Sequence, residues 1–401
     1  MADLADTSLF GDSPPDRGAQ GAPSLAGASG ILPDRSIRTL VQRKMVQAVD
    51  PIDASQIQPA SLDLRLARRG YRIRASFIPR EGQSVRQRAG ALIDHEFDLA
   101  AGAVLERDCV YLVELKECLN LTDSLSAIAN PKSTTGRIDV FTRLIADGAE
   151  VFDQVPVAYR GPLFAEISPR KFSIKVREGS RLSQLRFIRR NPTQLHSQRF
   201  QLSDRELIEL DRTLRADGPS GLVDGQASIR DGLQLGVSLA ALGEDRIVGY
   251  RARHYAPPID VDLVGHYRIA DYWEPIREES PRSLILDPHE FYILASREAL
   301  HIPPDYAAEM VPIDPAMGEF RVHYAGFFDP GFGHSPAGGA GSRAVLEVRS
   351  LDIPFMLEDG QVVARLKYER LAEPVARLYG SEVGSTYQAQ GLKLSKHFHA
   401  G

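Results

Sequence analysis

Residues 105–113 read Leu-Glu-Arg-Asp-Cys-Val-Tyr-Leu-Val, and residues 286–294 read Leu-Asp-Pro-His-Glu-Phe-Tyr-Ile-Leu. Each stretch ends in a short apolar run that is typical of a buried strand. The spacing of 181 residues between the two stretches also separates Tyr111 from Tyr292, Glu166 from Glu347, and Gly179 from Gly360. A spacing kept over so long a distance predicts two copies of one domain.

Short runs of alternating polar and apolar residues surround these stretches and predict strands at 61–66, 71–74, 172–176 and 182–188. Two copies are too few for a solenoid or a propeller. The fold class that we expect is therefore mainly β, a duplicated and distorted β-barrel with a few short helices.

Two helices are predicted at the margins of the copies. Asp34 is a candidate N-cap, followed by apolar residues at helical spacing up to Met45. Ser203 and Glu206 have the spacing of a capping box, and a helix is expected after Ser203.

Composition suggests where the domains begin and end. Residues 1–30 are rich in Gly, Pro, Ser and Ala and are expected to form a disordered N-terminal tail. Residues 31–200 form the predicted first domain, and residues 201–232 a helical linker. Residues 233–401 form the predicted second domain, which includes a C-terminal tail.

Charge and cysteine content limit the function classes. The formal net charge is -5, which offers no basic field for nucleic acid. The two cysteines, Cys109 and Cys118, do not suggest a disulfide framework and fit a reducing compartment. No apolar run approaches the ~20 residues of a membrane span, and the N-terminus does not resemble a signal peptide. We expect a cytoplasmic protein without nucleic-acid or membrane partners.

The first copy carries Pro-Lys-Ser-Thr-Thr-Gly-Arg at 131–137. Hydroxyl groups, backbone N–H groups and two cations in seven residues can bind phosphate oxygens. The segment is not a P-loop, which needs a different glycine spacing. The second copy has Pro-Ile-Asp-Pro-Ala-Met-Gly at 312–318, which cannot bind an anion in this way. Composition alone also allows 131–137 to be an ordinary loop.

The second copy carries an Asp-Pro-Gly turn at 329–331 and a carboxylate, Glu347, within the apolar run 344–348. A carboxylate held among apolar residues has a raised pKa and can move protons near neutral pH. Periodicity alone also allows Glu347 to point outward into solvent. The first copy has Glu166 at the same position, but its upstream stretch 155–161 lacks the Asp-Pro-Gly turn.

These pieces together resemble the dCTP deaminases of the trimeric dUTPase superfamily, in a tandem form. The resemblance covers roughly 31–191 and 233–401. The matching segments are 33–37, 58–66, 132–137, 179–185, 328–332, 345–347, 379–380 and 387–391. The resemblance implies a dUTPase-like fold, a deoxynucleoside triphosphate as small-molecule substrate, and a homo-oligomer.

The resemblance also implies roles for individual residues. The general base corresponds to Glu347, with Glu166 as its counterpart in the first copy. The catalytic and phosphate-binding segment corresponds to Lys132, Ser133, Thr134 and Arg137, although lysine replaces the usual first arginine. Asp63 corresponds to an aspartate tied to Mg²⁺ and nucleotide. The remaining substrate contacts correspond to the Ala325 backbone at the cytosine edge, Asp329 at the sugar, and Tyr379 and Gln390 in the closing tail.

Deamination adds water at C4 of cytosine, protonates N3 and expels ammonia, so one carboxylate can accept and deliver the protons. The expected product is dUTP, a precursor in pyrimidine deoxynucleotide biosynthesis. A zinc deaminase would carry H-x-E and P-C-x-x-C, which this sequence lacks. We therefore expect no zinc, and Mg²⁺ bound only with the triphosphate.

The two copies are expected to complement each other. The first would supply Ser133 and Arg137, and the second Asp329 and Glu347. Two other functions stay open: a dUTP diphosphatase, alone or combined with deamination, and a non-catalytic nucleotide-binding regulatory protein. The C-terminal tail could also be simply mobile rather than a lid.

Overall fold

The computed structural model describes residues 27–80, 82–190, 200–241, 244–313, 320–323, 326–334, 340–380, 383–384, 388 and 390–400. Most of the predicted N-terminal tail at 1–30 lies outside these residues. None of the described helices has the length and apolar character that crossing a membrane requires.

The first copy contains the strands β1 Gly30–Ile31, β2 Val46–Ala48, β3 Leu62–Leu64, β4 Leu66–Ile73, β5 Ile93–Asp98, β6 Ala103–Leu105, β7 Val110–Asn120, β8 Leu125–Pro131, β9 Val140–Ala146, β10 Gln154–Val155, β11 Arg160–Pro169, β12 Ile174–Val176 and β13 Ser183–Arg189. The second copy contains β14 Leu233–Ser238, β15 Ile247–Ala252, β16 Ile259–Asp260, β17 Tyr267–Arg268, β18 Trp273–Arg277, β19 Ser283–Leu286, β20 Phe291–Leu300, β21 Tyr306–Pro312, β22 Phe320–His323, β23 Phe327–Phe328, β24 Ser342–Ser350, β25 Phe355–Glu358, β26 Val362–Arg370, β27 Tyr379–Gly380, β28 Val383–Gly384 and β29 Phe398–His399. The helices of the described residues are α1 Asp34–Gln42, α2 Val85–Gly90, α3 Ser133–Gly136, α4 Asp204–Asp217 and α5 Ile269–Tyr272, with a 3-10 turn at Ala54–Gln56. The prediction of a mainly β chain is confirmed.

The predicted duplication is visible in the strands themselves. β8 and β21 have bounds that differ by 181 residues at both ends. Even single hydrogen bonds repeat. The Tyr111 hydroxyl accepts the backbone N–H of Glu106 at 2.9 Å, and the Tyr292 hydroxyl accepts that of Asp287 at 2.9 Å. The spacing read from the sequence is therefore a spacing between equivalent structural positions.

Each copy is built from two curled sheets. In the first copy, β3 joins the sheet β1-β13-β8-β10, and β2 joins the sheet β5-β4-β7-β11-β9. In the second copy, the order β18-β15-β20-β14-β26-β21-β23 links the two corresponding sheets through β14, and β24 lies between β20 and β22. The largest cluster of buried apolar side chains fills the first copy and extends into the second through residues such as Trp273 and Phe291, and another cluster fills the second copy.

The two predicted helices form, with one correction. Ser203 caps α4 through a capping box with Glu206, as predicted. Asp34, however, is the first residue of α1 and not its N-cap, which is Pro33. The Asp34 carboxylate instead accepts the backbone N–H of Ala376 at 2.9 Å. The carboxylate therefore joins the two copies and does not cap its own helix.

The copies pack closely against each other. β12 of the first copy pairs in parallel with β16 of the second. Beside this pair, Phe172 makes edge contacts with Tyr272 and Trp273, at ring distances of 5.7 and 5.4 Å. Elsewhere in the interface, the fully buried Arg186 donates to the Glu369 carboxylate at 3.1 Å. Apolar, aromatic and charged contacts thus join the copies into one unit.

Candidate active site

The 131–137 segment forms a short helical turn between β8 and β9. α3 begins at Ser133, directly after β8 ends at Pro131. The carbonyl of Leu182 fixes the turn from below, because it accepts the Lys132 N–H at 2.9 Å and the Thr135 hydroxyl at 2.8 Å. The turn is therefore rigidly attached to the first copy.

The carboxylate of Glu347 lies directly against this turn. Glu347 belongs to β24 of the second copy, and a Cβ atom added to Gly136 would lie 2.6 Å from its Oε1 and 2.7 Å from its Cδ. Only glycine leaves room for this approach. The predicted meeting of the two copies thus takes place within one polypeptide.

The surroundings of Glu347 favour its protonated form. The residue is 5% exposed, and its Oε2 is buried without a hydrogen-bond partner in the described part of the chain. Burial raises the pKa of the carboxyl well above its usual range, although the Arg137 guanidinium opposes this and Asp139 adds to it. A buried carboxylate oxygen without a partner is unusual in a folded protein and is available for a ligand or a water molecule.

The C-terminal segment holds Arg137 in place. The Arg137 Nη1 donates to the Gln390 Oε1 at 3.2 Å and to the Lys393 carbonyl at 2.9 Å. The Gln390 amide in turn donates to the carbonyl of Arg343, in the strand that carries Glu347, at 3.0 Å. Gln390 therefore links the arginine of one copy to the glutamate strand of the other.

A second set of tail residues fastens the turn from its other end. The Ser395 hydroxyl donates to the Thr134 carbonyl at 2.9 Å and lies 2.8 Å from His397 Nδ1. The His397 Nε2 lies 2.9 Å from the Val261 carbonyl. Burial lowers the pKa of His397 to about 4, so the imidazole is neutral at physiological pH.

Charged side chains gather at the start of the turn. Lys132 forms a close ion pair with the buried Asp63. Asp329 lies nearby, with its Oδ1 3.7 Å from the Arg186 guanidinium. Burial raises the pKa of Asp329 to about 6; Arg186 and Lys132 act against this shift, and Asp63 acts with it. The Asp-Pro-Gly turn of the second copy thus meets Asp63 and Lys132 of the first.

A cavity of about 160 Å³ opens beside the turn, between the two copies. It is lined by Thr134, Thr135, Ile138, Gly179, Arg181, Leu182, Val261, Asp262, Lys396 and His397. Its cationic side chains, Arg181 and Lys396, add to the positive charge supplied by Lys132 and Arg137. The whole region therefore combines a buried acid with donors suited to an anionic ligand.

Comparison with known proteins gives this geometry a family. Residues 28–191 match the family model described as 2'-deoxycytidine 5'-triphosphate deaminase (DCD) N-terminal domain, and residues 210–398 match the model of its C-terminal domain. A Streptomyces avermitilis protein named dCTP deaminase, dUMP-forming, is 31% identical over 160 residues, which are 38% of this chain and 77% of that protein. The chain belongs to the dCTP deaminase family.

Other members of the dCTP deaminase family extend the comparison. A Beutenbergia cavernae protein named dCTP deaminase, dUMP-forming, is 32% identical over 129 residues, which are 31% of this chain and 62% of that protein. The crystal structure of 2'-deoxycytidine 5'-triphosphate deaminase from Agrobacterium tumefaciens is 50% identical, with a TM-score of 0.79, and the match covers 86% of this chain and 99% of that one. The predicted dUTPase-like fold and tandem family membership are confirmed.

Glu166, the counterpart of Glu347 in this family member, has different surroundings. Its Oε1 lies 3.8 Å from the Arg143 guanidinium, and Ser76 and Phe77 hydrogen-bond to its carboxylate. None of these partners belongs to the 131–137 segment. Burial raises the pKa of Glu166 as well, so a raised pKa alone does not distinguish the two glutamates.

The remaining predicted residues take different places. Ser133 is half-buried at the start of α3. Tyr379 packs against Phe332 at a ring distance of 5.8 Å, and its backbone N–H donates to the Pro330 carbonyl at 2.9 Å. Tyr379 thus supports the Asp-Pro-Gly turn. Ala325 lies outside the described residues.

The family resemblance predicts that Asp63 is tied to Mg²⁺ through the triphosphate. Its Oδ2 is paired with Lys132, and its Oδ1 is buried without a hydrogen-bond partner in the described part of the chain. A single spare carboxylate oxygen fits a cation that arrives with phosphate oxygens of its own. Among the described residues, no three His, Cys, Asp or Glu side chains come together as a potential metal site.

Three contributors to the site cannot be recognised from the sequence. Gly136 belongs to the predicted phosphate-binding segment, but the sequence gives no sign of its contact with Glu347. Ser395 and His397 lie near the C-terminus with no motif around them. A serine and a histidine two residues apart offered no signal, because their partners lie over a hundred residues away.

Proposed function

We propose that this chain deaminates dCTP to dUTP and ammonia, with Glu347 as the general base and without zinc. The observation that carries the proposal is the contact of the buried Glu347 carboxylate with Gly136. Gly136 belongs to the 131–137 segment, which is rich in groups that can bind phosphate. Membership of the dCTP deaminase family supports the substrate.

The proposed reaction needs a proton carrier and a positioned water. Glu347 in its ionised form accepts a proton from a water molecule while the water oxygen bonds to C4 of the cytosine. The same carboxyl then delivers the proton to N3. It next accepts the remaining proton of the added hydroxyl and passes it to the exocyclic amine, so that the C4–O double bond forms as the C4–N bond breaks and ammonia leaves. Its raised pKa makes the ionised carboxylate a stronger base toward the water than an exposed glutamate would be.

The substrate would extend from Glu347 along the turn. Lys132, Ser133, Thr134 and Arg137 would bind the triphosphate, and Gln390 would keep Arg137 aimed at it. Mg²⁺ would reduce the charge of the triphosphate near Asp63. Asp329 would bind the sugar, and the Ala325 backbone would read the base edge. The tail from Tyr379 onward would cover the bound nucleotide.

A combined deaminase and diphosphatase is a second candidate, because both relatives compared above are named dUMP-forming. That function would release diphosphate as well as ammonia from dCTP. It attacks phosphorus and so needs a second, differently placed water. We place the first candidate ahead because the site is organised around one buried glutamate.

The test is to supply dCTP with Mg²⁺ and to measure ammonia, diphosphate, dUTP and dUMP together. Equal amounts of ammonia and dUTP with no diphosphate support deamination alone. Equal amounts of ammonia, diphosphate and dUMP would establish the combined activity instead. Tight binding of dCTP without any product would contradict both and favour a regulatory nucleotide-binding protein.

Two broader features belong to the same proposal. We place the enzyme in the cytoplasm, where its two free cysteines, Cys109 and Cys118, would stay reduced. We also propose that residues 31–200 and 233–401 are the two domains and that 201–232 is the linker between them.

A further inference from the structure

A buried aspartate follows the turn that contacts Glu347. Asp139 lies between α3 and β9 and has a left-handed backbone, with a φ of 57°, which aspartate adopts more readily than most residues. Its N–H donates to the Gly136 carbonyl at 2.8 Å, and its carbonyl accepts the N–H of Arg170 at 2.8 Å. The backbone of Asp139 is therefore fixed to the same glycine that lies against the Glu347 carboxylate.

The Asp139 side chain forms an ion pair between the two copies. Its Oδ2 is closely paired with the Nη2 of Arg349 in β24 of the second copy. Asp139 is completely buried, and only 12% of the Arg349 side chain is exposed. The guanidinium also donates to the His289 carbonyl, which fixes its orientation. Opposite charges of the two copies thus meet in the protein interior.

Arg349 and Glu347 lie two residues apart in β24. Alternate residues of a strand point to the same side, so both side chains face the first copy. The strand therefore meets the first copy at two points: the Glu347 carboxylate lies against Gly136, and Arg349 binds Asp139. Two contacts on one strand restrict the movement of the Glu347 carboxylate relative to the turn.

The ion pair is not a feature of the shared domain fold. At the 181-residue spacing, the counterpart of Asp139 is Phe320, and the counterpart of Arg349 is Ser168. Neither of these residues carries a charge. The charged pair is therefore an addition at the one place where a glutamate faces the 131–137 segment.

The hydrogen bonding of the pair is incomplete. The Oδ1 of Asp139 and the Nε of Arg349 are buried, and neither has a hydrogen-bond partner among the residues that the structure describes. A buried ion pair loses solvation energy, which it recovers only when its remaining polar atoms are also bonded. Stability alone therefore does not account for an ion pair at this place.

Cations around Asp139 favour its ionised form. Burial raises the pKa of the Asp139 carboxyl, and Arg349, Arg170 and Lys171 act against this shift. Arginine stays protonated in proteins, so a neutral Asp139 would leave the buried Arg349 guanidinium without its counter-ion. Asp139 therefore brings a negative charge to the surroundings of Glu347.

Charges of both signs act on Glu347. Burial has the largest effect on its pKa and raises it; Arg137, at the end of α3, lowers it, and Asp139 raises it further. On the neighbouring strands, Ile293 of β20 and His323 of β22 lie opposite Glu347. Asp139 thus opposes the charge of Arg137, which by itself would make Glu347 a weaker base.

We propose that Asp139 and Arg349 are positioning residues for Glu347. Their ion pair holds β24 against the turn, and the negative charge of Asp139 keeps Glu347 a strong base. The inference rests on the proposed function, because it takes Glu347 to be the group that accepts the proton of water.

The first test measures kcat/KM for ammonia release from dCTP as a function of pH. Asp139→Asn removes the charge but keeps a residue type that tolerates the left-handed backbone and can accept a hydrogen bond from Arg349. The acid limb of the profile, where Glu347 becomes protonated, should move to lower pH by about 1 unit, because a neighbouring negative charge is lost. A lowered melting temperature with an unmoved acid limb would show that the pair is purely structural, and would overturn the proposal.

The matched control removes the charge from another ion pair between the copies. Glu373 lies 3.0 Å from Arg189, which stands opposite Leu125, at the end of β8 that is far from the turn. Glu373→Gln should leave the acid limb at its wild-type position. A shift as large as that of Asp139→Asn would contradict a specific role of Asp139.

The second test separates positioning from substrate binding. Arg349→Met should lower kcat by about tenfold, because β24 loses one of its two contacts with the first copy, whereas KM for dCTP should change by less than about twofold. Arg349→Lys keeps a cation opposite Asp139 and should restore most of the rate. Equal kcat values for the wild type and Arg349→Met would contradict the positioning role.

A third measurement does not depend on catalysis. The infrared C=O band of the protonated Glu347 carboxyl, identified by its absence from Glu347→Gln, should disappear at lower pH in Asp139→Asn than in the wild type. If the wild type releases no ammonia from dCTP, the proposed function fails, but this titration still decides whether Asp139 acts on Glu347. Identical titrations in the two proteins would refute the inference.

Discussion

Glu347 and Glu166 occupy the same position in two copies of one domain, yet only Glu347 faces the predicted phosphate-binding segment at 131–137. Both are 5% exposed, and burial raises the pKa of both. They differ in their neighbours: Gly136 and Arg137 for Glu347, and Arg143 and Ser76 for Glu166. Burial of an acid thus prepares a base but does not make a site; a complementary partner surface is also needed.

The largest effect is expected from replacing each glutamate with the uncharged glutamine. Glu347→Gln should lower kcat for ammonia release by about 10²–10⁴-fold, because an amide cannot accept the proton of water. Glu166→Gln is the matched control and should change kcat by less than about twofold, since it only replaces a carboxyl remote from the turn. An inactive Glu166→Gln variant together with an active Glu347→Gln variant would show that the general base is Glu166 and not Glu347.

A smaller change tests the contact itself. Gly136→Ala should lower kcat by about 10²-fold, because the new methyl group displaces the Glu347 carboxylate and a shift of ~1 Å is costly in catalysis. Gly90→Ala is the control, since a Cβ there has nothing within 4 Å. Steady-state kinetics on both variants would decide, and equal rates would show that the carboxylate need not touch the turn.

The tail residue His397 makes the free energy of unfolding depend on pH. Its pKa is about 4 in the folded chain against about 6.5 when exposed. The unfolded chain therefore binds a proton at His397 at a higher pH than the folded chain does. The folded state keeps its full stability above pH 6.5 and loses about 2–3 kcal/mol of it as the pH falls toward 4. Chemical denaturation across this range should show the loss, and His397→Gln should flatten it. A pH-independent free energy of unfolding in the wild type would contradict this account.

The mildest test concerns Gln390, which links Arg137 to the strand of Glu347. Gln390→Ala should raise KM for dCTP by about tenfold, because Arg137 loses one hydrogen bond to a charged group, worth ~1.5 kcal/mol. His399→Ala, at an exposed residue of the same tail, should leave KM unchanged. An unaffected KM in Gln390→Ala would mean that the tail does not position the arginine.

Much of this arrangement could be predicted from the sequence. The 181-residue spacing predicts the duplication because equivalent positions in a repeated fold repeat their residue types. The exclusive presence of 131–137 in one copy, and of the Asp-Pro-Gly turn in the other, predicts that the copies complement each other. The structure places Glu347 and Gly136 together accordingly.

Other features could not be predicted, for a physical reason. Asp34 is of a residue type that favours helix caps, but its carboxylate accepts a backbone N–H more than three hundred residues away. Arg186 lies in an alternating strand and looks like a surface residue, yet it is fully buried between the copies. The local sequence pattern shows which structure a segment favours by itself. The roles of Asp34 and Arg186 depend instead on contacts with residues that are distant in the sequence.

Gly136 and Glu347 belong to the same polypeptide, and this affects how the activity depends on protein concentration. Two groups on one chain meet at an effective concentration set by the fold and not by the amount of protein present. Specific activity should therefore stay constant on dilution into the nanomolar range, even where separate molecules no longer associate. A site assembled from separate subunits would instead lose activity under the same conditions.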